Sequence, residues 1–391
     1  MILFEEALKA VKSSAKSIGK ERIPFLSAVG KVLFEDIFSD VNMPPFDKAA
    51  MDGYACRKCD LKNVLEVIEI IPAGVSPTKV IGPNQCAKIM TGAPVPQGAD
   101  TVIMVEYTEI IAKNKIQFLQ ENSRSNICYL AEDVKKDDVV LKKGTLILPK
   151  HIPVLASVGA VEVTVSKMPK VAIISTGDEL VEPNVQPNPS QIRNTNAYQL
   201  IAQAQQLGVE VQYIGIAKDD KESTRAKLQE AMEIADIIII SGAVSMGDFD
   251  FVPIVMKELG VEIYFHGVET KPGKRIIYGT TTNKWFIGVP GNPVSSFVQF
   301  EMLIKPLIYS IMGSDCGMQY LKLPLSADFN RKKGDRKAFE PVQVNLDGTV
   351  KMLEYHGSAH INALSYAQGL MIIEKGILTL KKGDIVDVRP I

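Results

Sequence analysis

Four consecutive isoleucines, Ile237 to Ile240, set the tightest constraint on what this chain can fold into. They are β-branched and leave no alternating polar face, which predicts a strand buried on both sides, as a parallel sheet requires. Ser241, Gly242, Ala243, Val244, Ser245 and Gly247 follow, and so little side-chain bulk lets backbone N–H groups approach a ligand closely. Asp248 and Asp250 come next, with an apolar helix predicted from about Phe251. In open α/β sheets, ligands sit at the carboxyl ends of strands, where helix N-termini converge. Hydroxyls, bare amides and carboxylates gathered there suit a phosphate or oxyanion beside a metal ion; the plainer alternative is a tight turn with ordinary caps.

The surrounding pattern extends the same constraint. From Lys170 the chain alternates strand-like runs (VAIIST, VEVQYIGI, DIIIIS, VEIYFHGV, IIYGT, KWFIGV) with helical ones, of which PVSSFVQFEMLIKPLIYSIMG reads as one long helix. Strands alternating with helices predict a doubly wound α/β domain. Residues 2–18 show helical spacing up to a stop at Gly19, and residues 54–148 read as short strands between Gly/Pro turns, an all-β module. The two prolines in MPPFDKAAMDGYA place Asp47 to Tyr54 in a presented loop rather than inside an element. Residues 151–165 read as a helical turn and a strand, expected to pair with the opening helix in one connecting layer. After Gly313 the chain is β again, a small barrel or sandwich. The expected division is an elongated linker domain over 1–50 with 140–168, a β-rich domain over 51–139, the α/β domain over 169–315 and a C-terminal β-barrel over 316–391.

Composition narrows the function classes. A chain of 391 residues exceeds a single core, and 46% apolar with 23% charged residues is ordinary globular composition. Lys+Arg 44 against Asp+Glu 45 argues against binding nucleic acid or an anionic membrane by bulk charge, so an anionic ligand needs a local basic patch. Five scattered cysteines do not make a disulfide framework, and the Cys56 to Cys59 CxxC has no second pair to complete a zinc site, which favours plain thiols and a reducing compartment. The N-terminus lacks the basic stretch and cleavage site of a signal peptide, and no apolar run approaches the roughly 20 residues of a membrane span, so a cytoplasmic location is expected.

Three further loops follow strands of the α/β pattern. STGDEL offers Ser175, Thr176, Gly177, Asp178 and Glu179; KPGKR offers Lys271, Lys274 and Arg275; GVPGNPVSS offers Asn292, Ser295 and Ser296. Together they supply carboxylates for a hard cation such as Mg²⁺, cations for phosphate, and helix N-termini. A helix terminus contributes only about 0.3–1 kcal/mol, so lysines and metal must carry most of the anion binding. Read conservatively, Asp178 and the serines are caps and KPGKR a solvated turn. In the β module, Asp47, Asp52, Thr91, Glu132 and Asp133 sit on turns and hint at a second wall. The absence of GxxxxGK[ST], GxGxxG and GxSxG disfavours a Walker nucleotide site, a dinucleotide oxidoreductase and a serine hydrolase.

The segments PPFDKAAMDGYA, IMTGAPVPQGADTV, AED, STGDEL, SGAVSMGDFDF, KPGK and GVPGNPVSS, in this order over nearly the whole chain, resemble the molybdopterin molybdenumtransferases, the bacterial MoeA proteins and the gephyrin E domain. The resemblance implies a molybdopterin-binding-like α/β domain and insertion of molybdenum from molybdate into adenylylated molybdopterin, with Mg²⁺-dependent release of AMP. Carried over by motif, Asp250, Ser245, Asp52 and Lys274 take catalytic positions, with Ser245 and Asp250 at the adenylyl phosphate. Asp178 and Glu179 fall on metal positions. Thr91, Asp133, Ser175, Thr176, Gly177 and Gly242 fall on substrate-binding positions, as does Asn292. Lys271, Arg275, Ser295, Arg336 and Ser358 complete the set, the last four in an oxyanion pocket with Lys274. The resemblance further implies a homodimer with a shared cleft, and the adenylylating enzyme and molybdoenzyme chaperones as partners. Four positions depart: Cys128 and Ala131 stand where the family has arginine and glycine, Ala243 replaces the second glycine of SGG, and Arg275 replaces the proline of KPGKP. The competing readings are a non-catalytic dimeric scaffold or cofactor carrier with a vestigial site, and a tungstate-using variant.

Overall fold

The computed structural model describes residues 1–242, 251–315, 319–354 and 357–391. Six strands build one sheet: β1 (Val171–Thr176), β2 (Val211–Ala217), β3 (Ile237–Ser241), β4 (Glu262–His266), β5 (Ile277–Thr280) and β6 (Trp285–Val289), in the order β2-β1-β3-β6-β5-β4. The first four in that order run parallel, and β5 and β4 turn back antiparallel at one edge. The isoleucines of β3 serve both faces. Ile237 and Ile239 pack with Ala197, Leu200, Val294 and Val298, while Ile238 and Ile240 pack with Leu228, Val255 and Met256. Each burial is worth about 1.5–3 kcal/mol, which is why the run tolerates no polar residue.

The helices cover the two faces. Asn196–Gln206 and Pro293–Gln299 lie on one side of the sheet, Lys221–Ile234 and Val252–Glu258 on the other. Asp220 caps Lys221–Ile234 by accepting the Ser223 N–H at 2.6 Å. The helix read from Pro293 onward is not uniform. It runs as α-helix over Pro293–Gln299, widens to a π-helical turn over Phe300–Ile304, and resumes over Lys305–Ile311. Lys305 N–H reaches back to the Phe300 carbonyl in the wider turn. Pro306 gives the reason: it has no N–H for the Met302 carbonyl, and its ring would crowd that carbonyl in a regular helix.

The chain divides into two units. One comprises Met1–Glu35, Lys143–Pro149 and Glu162–Ile391; the other comprises Asp36–Lys142 and Lys150–Val161. In the first unit the opening helix spans Phe4–Ser14 and ends short of Gly19. It buries Phe4, Ala7 and Val11 with Leu303 and Phe339, the Phe4 and Phe339 rings meeting edge-on at 5.1 Å. It does not pair with residues 151–165. The strand Glu162–Ser166 pairs instead with Lys20–Pro24, because backbone groups of a strand need a strand partner, and Ile152–Ser157 belongs to the other unit.

The C-terminal strands of the first unit close on themselves. Lys337–Val344, Gly369–Ile373, Ile385–Pro390 and Leu321–Pro324 follow one another, Val350–Met352 adds to the free side of Lys337–Val344, and a bridge from Leu325 to Val350 completes the ring. A small β-barrel results. Its last strand sends Arg389, 2% exposed, toward Glu301 of the π turn, 3% exposed. The Glu301 carboxylate accepts from Gln203 at 3.2 Å, Lys305 at 3.0 Å and Arg389 at 3.5 Å.

The second unit is built on a six-stranded sheet in the order Thr101–Met104, Gly53–Cys56, Gln85–Ile89, Val64–Ile71, Lys115–Phe118, Thr108–Ala112. The stretch from Asp47 to Tyr54 is not a free loop. Lys48–Ala49 pairs with Ile127–Cys128, and Gly53 and Tyr54 already lie buried in the sheet, so only a turn bearing exposed Met51 and Asp52 is presented. Cys56 stands directly opposite Cys86, and burial pushes both thiols up to about 12, whereas Cys59 is exposed. Alkylation at pH 8 followed by peptide mapping is therefore expected to modify Cys59 ~100-fold faster than Cys56 or Cys86, the latter two reacting only through opening of the sheet. Equal rates for the three would contradict the packing. Among the described residues, no helix is long and apolar enough to cross a membrane.

Candidate functional site

Strand order decides where a ligand can enter. β2 lies on one side of β1 and β3 on the other, so the connections leave β1 in opposite directions and a crevice opens at the carboxyl ends of β1 and β3. A cleft of about 920 Å³ occupies this place, within the size range of cofactor sites. Thr176 ends β1, Ser241 ends β3 and Pro290 follows β6, and all three line it.

Its floor is a set of interlocked polar groups. The Thr176 hydroxyl donates to the Ser241 carbonyl at 3.3 Å, and Gly242 N–H donates to the Val289 carbonyl at 3.1 Å. Gly242 has φ +93°, and an added Cβ would stand 2.6 Å from Thr176 Oγ1, so only glycine closes this floor. The Asn196 amide donates to Ser241 Oγ at 2.9 Å and to the Gly291 carbonyl at 2.8 Å. A carbonyl only accepts, which fixes the amide orientation. Asn196 Oδ1 then remains buried without a partner, in a residue that lines the cleft. A buried unpaired acceptor costs about 1–3 kcal/mol, which a ligand donor would recover.

Charge collects at the rim. Glu179, Asp219 and Arg275 line the cleft, and the Glu179 carboxylate folds over Gly177, where an added Cβ would lie 2.3 Å from Oε2. Asp178 and Asp219 hold each other: Asp178 N–H donates to Asp219 Oδ2 at 3.2 Å and Asp219 N–H to Asp178 Oδ1 at 3.3 Å. Each carboxylate keeps its other oxygen for a cation. No group of three His, Cys, Asp or Glu residues able to hold a metal occurs among the described residues.

The structure thus brings Thr176, Gly177, Glu179, Gly242, Arg275 and Asn292 to one cleft. Ser175 is buried behind it, its hydroxyl on Asn194 Oδ1 at 3.1 Å. Asn292 donates to Ser358 Oγ at 2.9 Å, which ties the barrel side to the rim, and Ala359 and Ile361 join the lining. Ser295 is 3% exposed and lies under its helix rather than in the cleft. Lys271 stands 3.9 Å from buried Glu340, whose carboxyl is raised by burial, and is not part of the lining. Lys274 is exposed beyond the lining, and Arg336 donates to the Thr270 carbonyl at 3.2 Å in the neighbouring barrel edge. Asp52, Thr91 and Asp133 belong to the second unit. There Thr91 gives both its N–H and its hydroxyl to Asp52 Oδ1 at 2.7 Å, which holds this carboxyl below the usual range. Asp133 is exposed, its N–H on the Met43 carbonyl at 3.0 Å. Ser245 and Asp250 lie outside the described residues, as does Ala243.

Comparison with known proteins can now be set against this geometry. Three family models match in sequence: the MoeA N-terminal region (domain I and II) over residues 2–159, a "Probable molybdopterin binding domain" over 172–310, and the MoeA C-terminal region (domain IV) over 322–391. The molybdopterin molybdenumtransferase of Staphylococcus aureus strain N315 is 32% identical over 397 residues, covering 99% of this chain and 95% of its own. The chain belongs to the molybdopterin molybdenumtransferase family. It is thereby a transferase of molybdenum cofactor biosynthesis. The molybdenumtransferase of Staphylococcus epidermidis strain ATCC 12228 is likewise 32% identical over 400 residues, with coverage of 99% and 95%. Among solved structures, the molybdopterin biosynthesis moeA protein from Pyrococcus horikoshii OT3 superposes with a TM-score of 0.85 at 30% identity, over 100% of both chains.

Within this molybdenumtransferase cleft, several residues escaped the sequence reading. Asn196, Ser241, Asp219, Asn194 and Arg193 line it beside the expected ones. Their signal was present but ambiguous, because NTNAYQ and KDDK read as ordinary helix starts. A capping residue and a ligand-binding residue at the head of a helix have the same sequence appearance.

Proposed function

We propose that this transferase inserts molybdenum from molybdate into adenylylated molybdopterin and releases AMP. The observation that carries the reading is the unpartnered Asn196 Oδ1 buried in a cleft at the β1/β3 switch point, with carboxylates and Arg275 on its rim. A pterin presents ring N–H donors, which suits a buried acceptor, and its phosphate suits Arg275 and the exposed helix ends. Molybdate, a dianion, is the second substrate, and Lys271, Lys274, Arg275 and Arg336 are the cations proposed to receive it. Ser245 and Asp250 are proposed to act at the adenylyl phosphate, and Asp52, held as a carboxylate by Thr91, to contribute fixed negative charge.

Mg²⁺ fits the carboxylates at the rim. It binds through one or two protein carboxylates plus substrate phosphates and keeps several waters, so a three-residue cage is not required. Asp178, Asp219 and Glu179 would hold it, and when bound it supplies charge neutralisation at the bridging phosphates. The proposal includes a cytoplasmic homodimer with a shared cleft, to which the second unit would contribute Asp52, Thr91 and Asp133.

The test incubates the purified protein with adenylylated molybdopterin, molybdate and Mg²⁺ and follows AMP by chromatography. Molybdate-dependent AMP release is expected, lost by about 100-fold or more in Asp250→Asn and stopped by chelation. An absence of release, or an unchanged Asp250→Asn variant, would sink the reading and leave the scaffold alternative. Substituting tungstate in the same assay decides between the two oxyanions.

A further inference from the structure

We infer that Glu182 is a positioning residue: it pins one wall of the cleft, through two tyrosine hydroxyls, in the geometry that receives the pterin ligand, and the inference rests on the ligand proposed above. The wall is the loop from Leu180 to Arg193, closed where Leu180–Val181 pairs with Ile192–Arg193. Pro187, Gln191, Ile192 and Arg193 of this loop line the cleft. The loop is stiff within itself. Val185 N–H donates to the Glu182 carbonyl at 2.9 Å, Arg193 Nε to the Val185 carbonyl at 3.3 Å and Arg193 Nη2 to Gln186 Oε1 at 3.3 Å, and Pro183, Pro187 and Pro189 restrict the backbone.

A stiff loop moves as a body, so its tie to the sheet sets its position. That tie is the Glu182 carboxylate. Oε2 accepts the Tyr198 hydroxyl at 2.8 Å and Oε1 accepts the Tyr213 hydroxyl at 2.7 Å. Tyr198 is on the helix Asn196–Gln206 and Tyr213 on β2, so one side chain fastens the loop to two elements. The chain of bonds continues inward. Tyr213 also accepts from Asn194 Nδ2 at 2.8 Å, and Asn194 Oδ1 accepts from Ser175 at the end of β1. Loop, sheet edge and cleft floor are thereby one hydrogen-bonded line, while neither Glu182 nor either tyrosine lines the cleft. Hydroxyl bonds to an ionised carboxylate are the stronger kind. Burial first, then Glu182, raises the Tyr213 hydroxyl, and the bond to Glu182 raises that of Tyr198, so both remain donors.

The experiment has two readouts on the full chain. Hydrogen exchange without substrate measures the 182–193 loop directly, and the AMP-release assay separates KM from kcat. In Glu182→Ala the loop amides are expected to exchange about tenfold faster, and KM for adenylylated molybdopterin to rise about tenfold with kcat within twofold of wild type. Tyr198→Phe/Tyr213→Phe should reproduce both effects. Glu182→Gln, which keeps one acceptor oxygen, should recover part of each. Unchanged loop exchange in Glu182→Ala overturns the pin. Faster exchange with unchanged KM overturns the positioning role. If wild type releases no AMP, the proposed reaction fails by itself, and faster exchange in Glu182→Ala then still supports the pin.

Discussion

Glu301→Leu is expected to destabilise the first unit by about 3–5 kcal/mol, because it removes the carboxylate from a buried cationic pair. Arg389 and Lys305 both point at that carboxylate, and their side chains are only 3% and 21% exposed. Without it, two positive charges remain close together with little water to screen them. Gln203 loses an acceptor as well. The control is Glu301→Leu/Arg389→Leu, which replaces the buried pair with apolar volume and should recover much of the loss, since such replacements are often neutral. Trp285, the single tryptophan, is 2% exposed in β6 of the same unit and reports the transition by fluorescence in urea. A midpoint for Glu301→Leu equal to that of wild type would show that the barrel and the helix do not depend on this contact.

Gly53→Ala is the second large effect. Gly53 lies in a central strand, opposite Ile89 on one side and Met104 on the other. An added Cβ would sit 1.9 Å from the Ile103 carbonyl oxygen and 2.8 Å from its carbon, both backbone atoms. No rotamer change relieves that overlap. The strand must separate from Thr101–Met104, at a cost of about 3 kcal/mol or more. Asp52 is the preceding residue and its carbonyl accepts the Val105 N–H at 3.1 Å, so the carboxylate held by Thr91 shifts with the strand. Hydrogen exchange should quicken in Gly53–Cys56 and Thr101–Met104 while β1 to β6 keep their protection. Wild-type exchange in those two strands would refute the argument.

The sheet of the first unit was legible because parallel strands buried on both faces must be continuously apolar, and Ile237 to Ile240 admit few other readings. The cleft loops were legible for a related reason: strand ends that break into Gly, Ser and Asp mark where backbone meets ligand. What stayed hidden was non-local or doubly determined. The pairing of Lys48–Ala49 with Ile127–Cys128 joins two-residue segments far apart in the chain, too short to show a period. Asn196 carried a helix-start signal that masked its place in the cleft. The wide turn at Phe300–Ile304 follows from Pro306, but an apolar helix pattern continues through it, and the sequence reads as one helix.

That wide turn acts as a phase slip. Successive residues of an α-helix are rotated by about 100°, so one residue accommodated in a longer turn resets the facing of everything after it. Before the slip, the helix starts at the cleft with Asn292 as its cap and Val294 and Val298 on the sheet; within it, Glu301 meets the barrel's Arg389; after it, Leu307, Ile308 and Ile311 return to the core. Removing a single residue between Phe300 and Ile304 would regularise the helix and turn its second half by about 100°. The length of this segment is therefore fixed to the residue, although nothing in it touches the cleft.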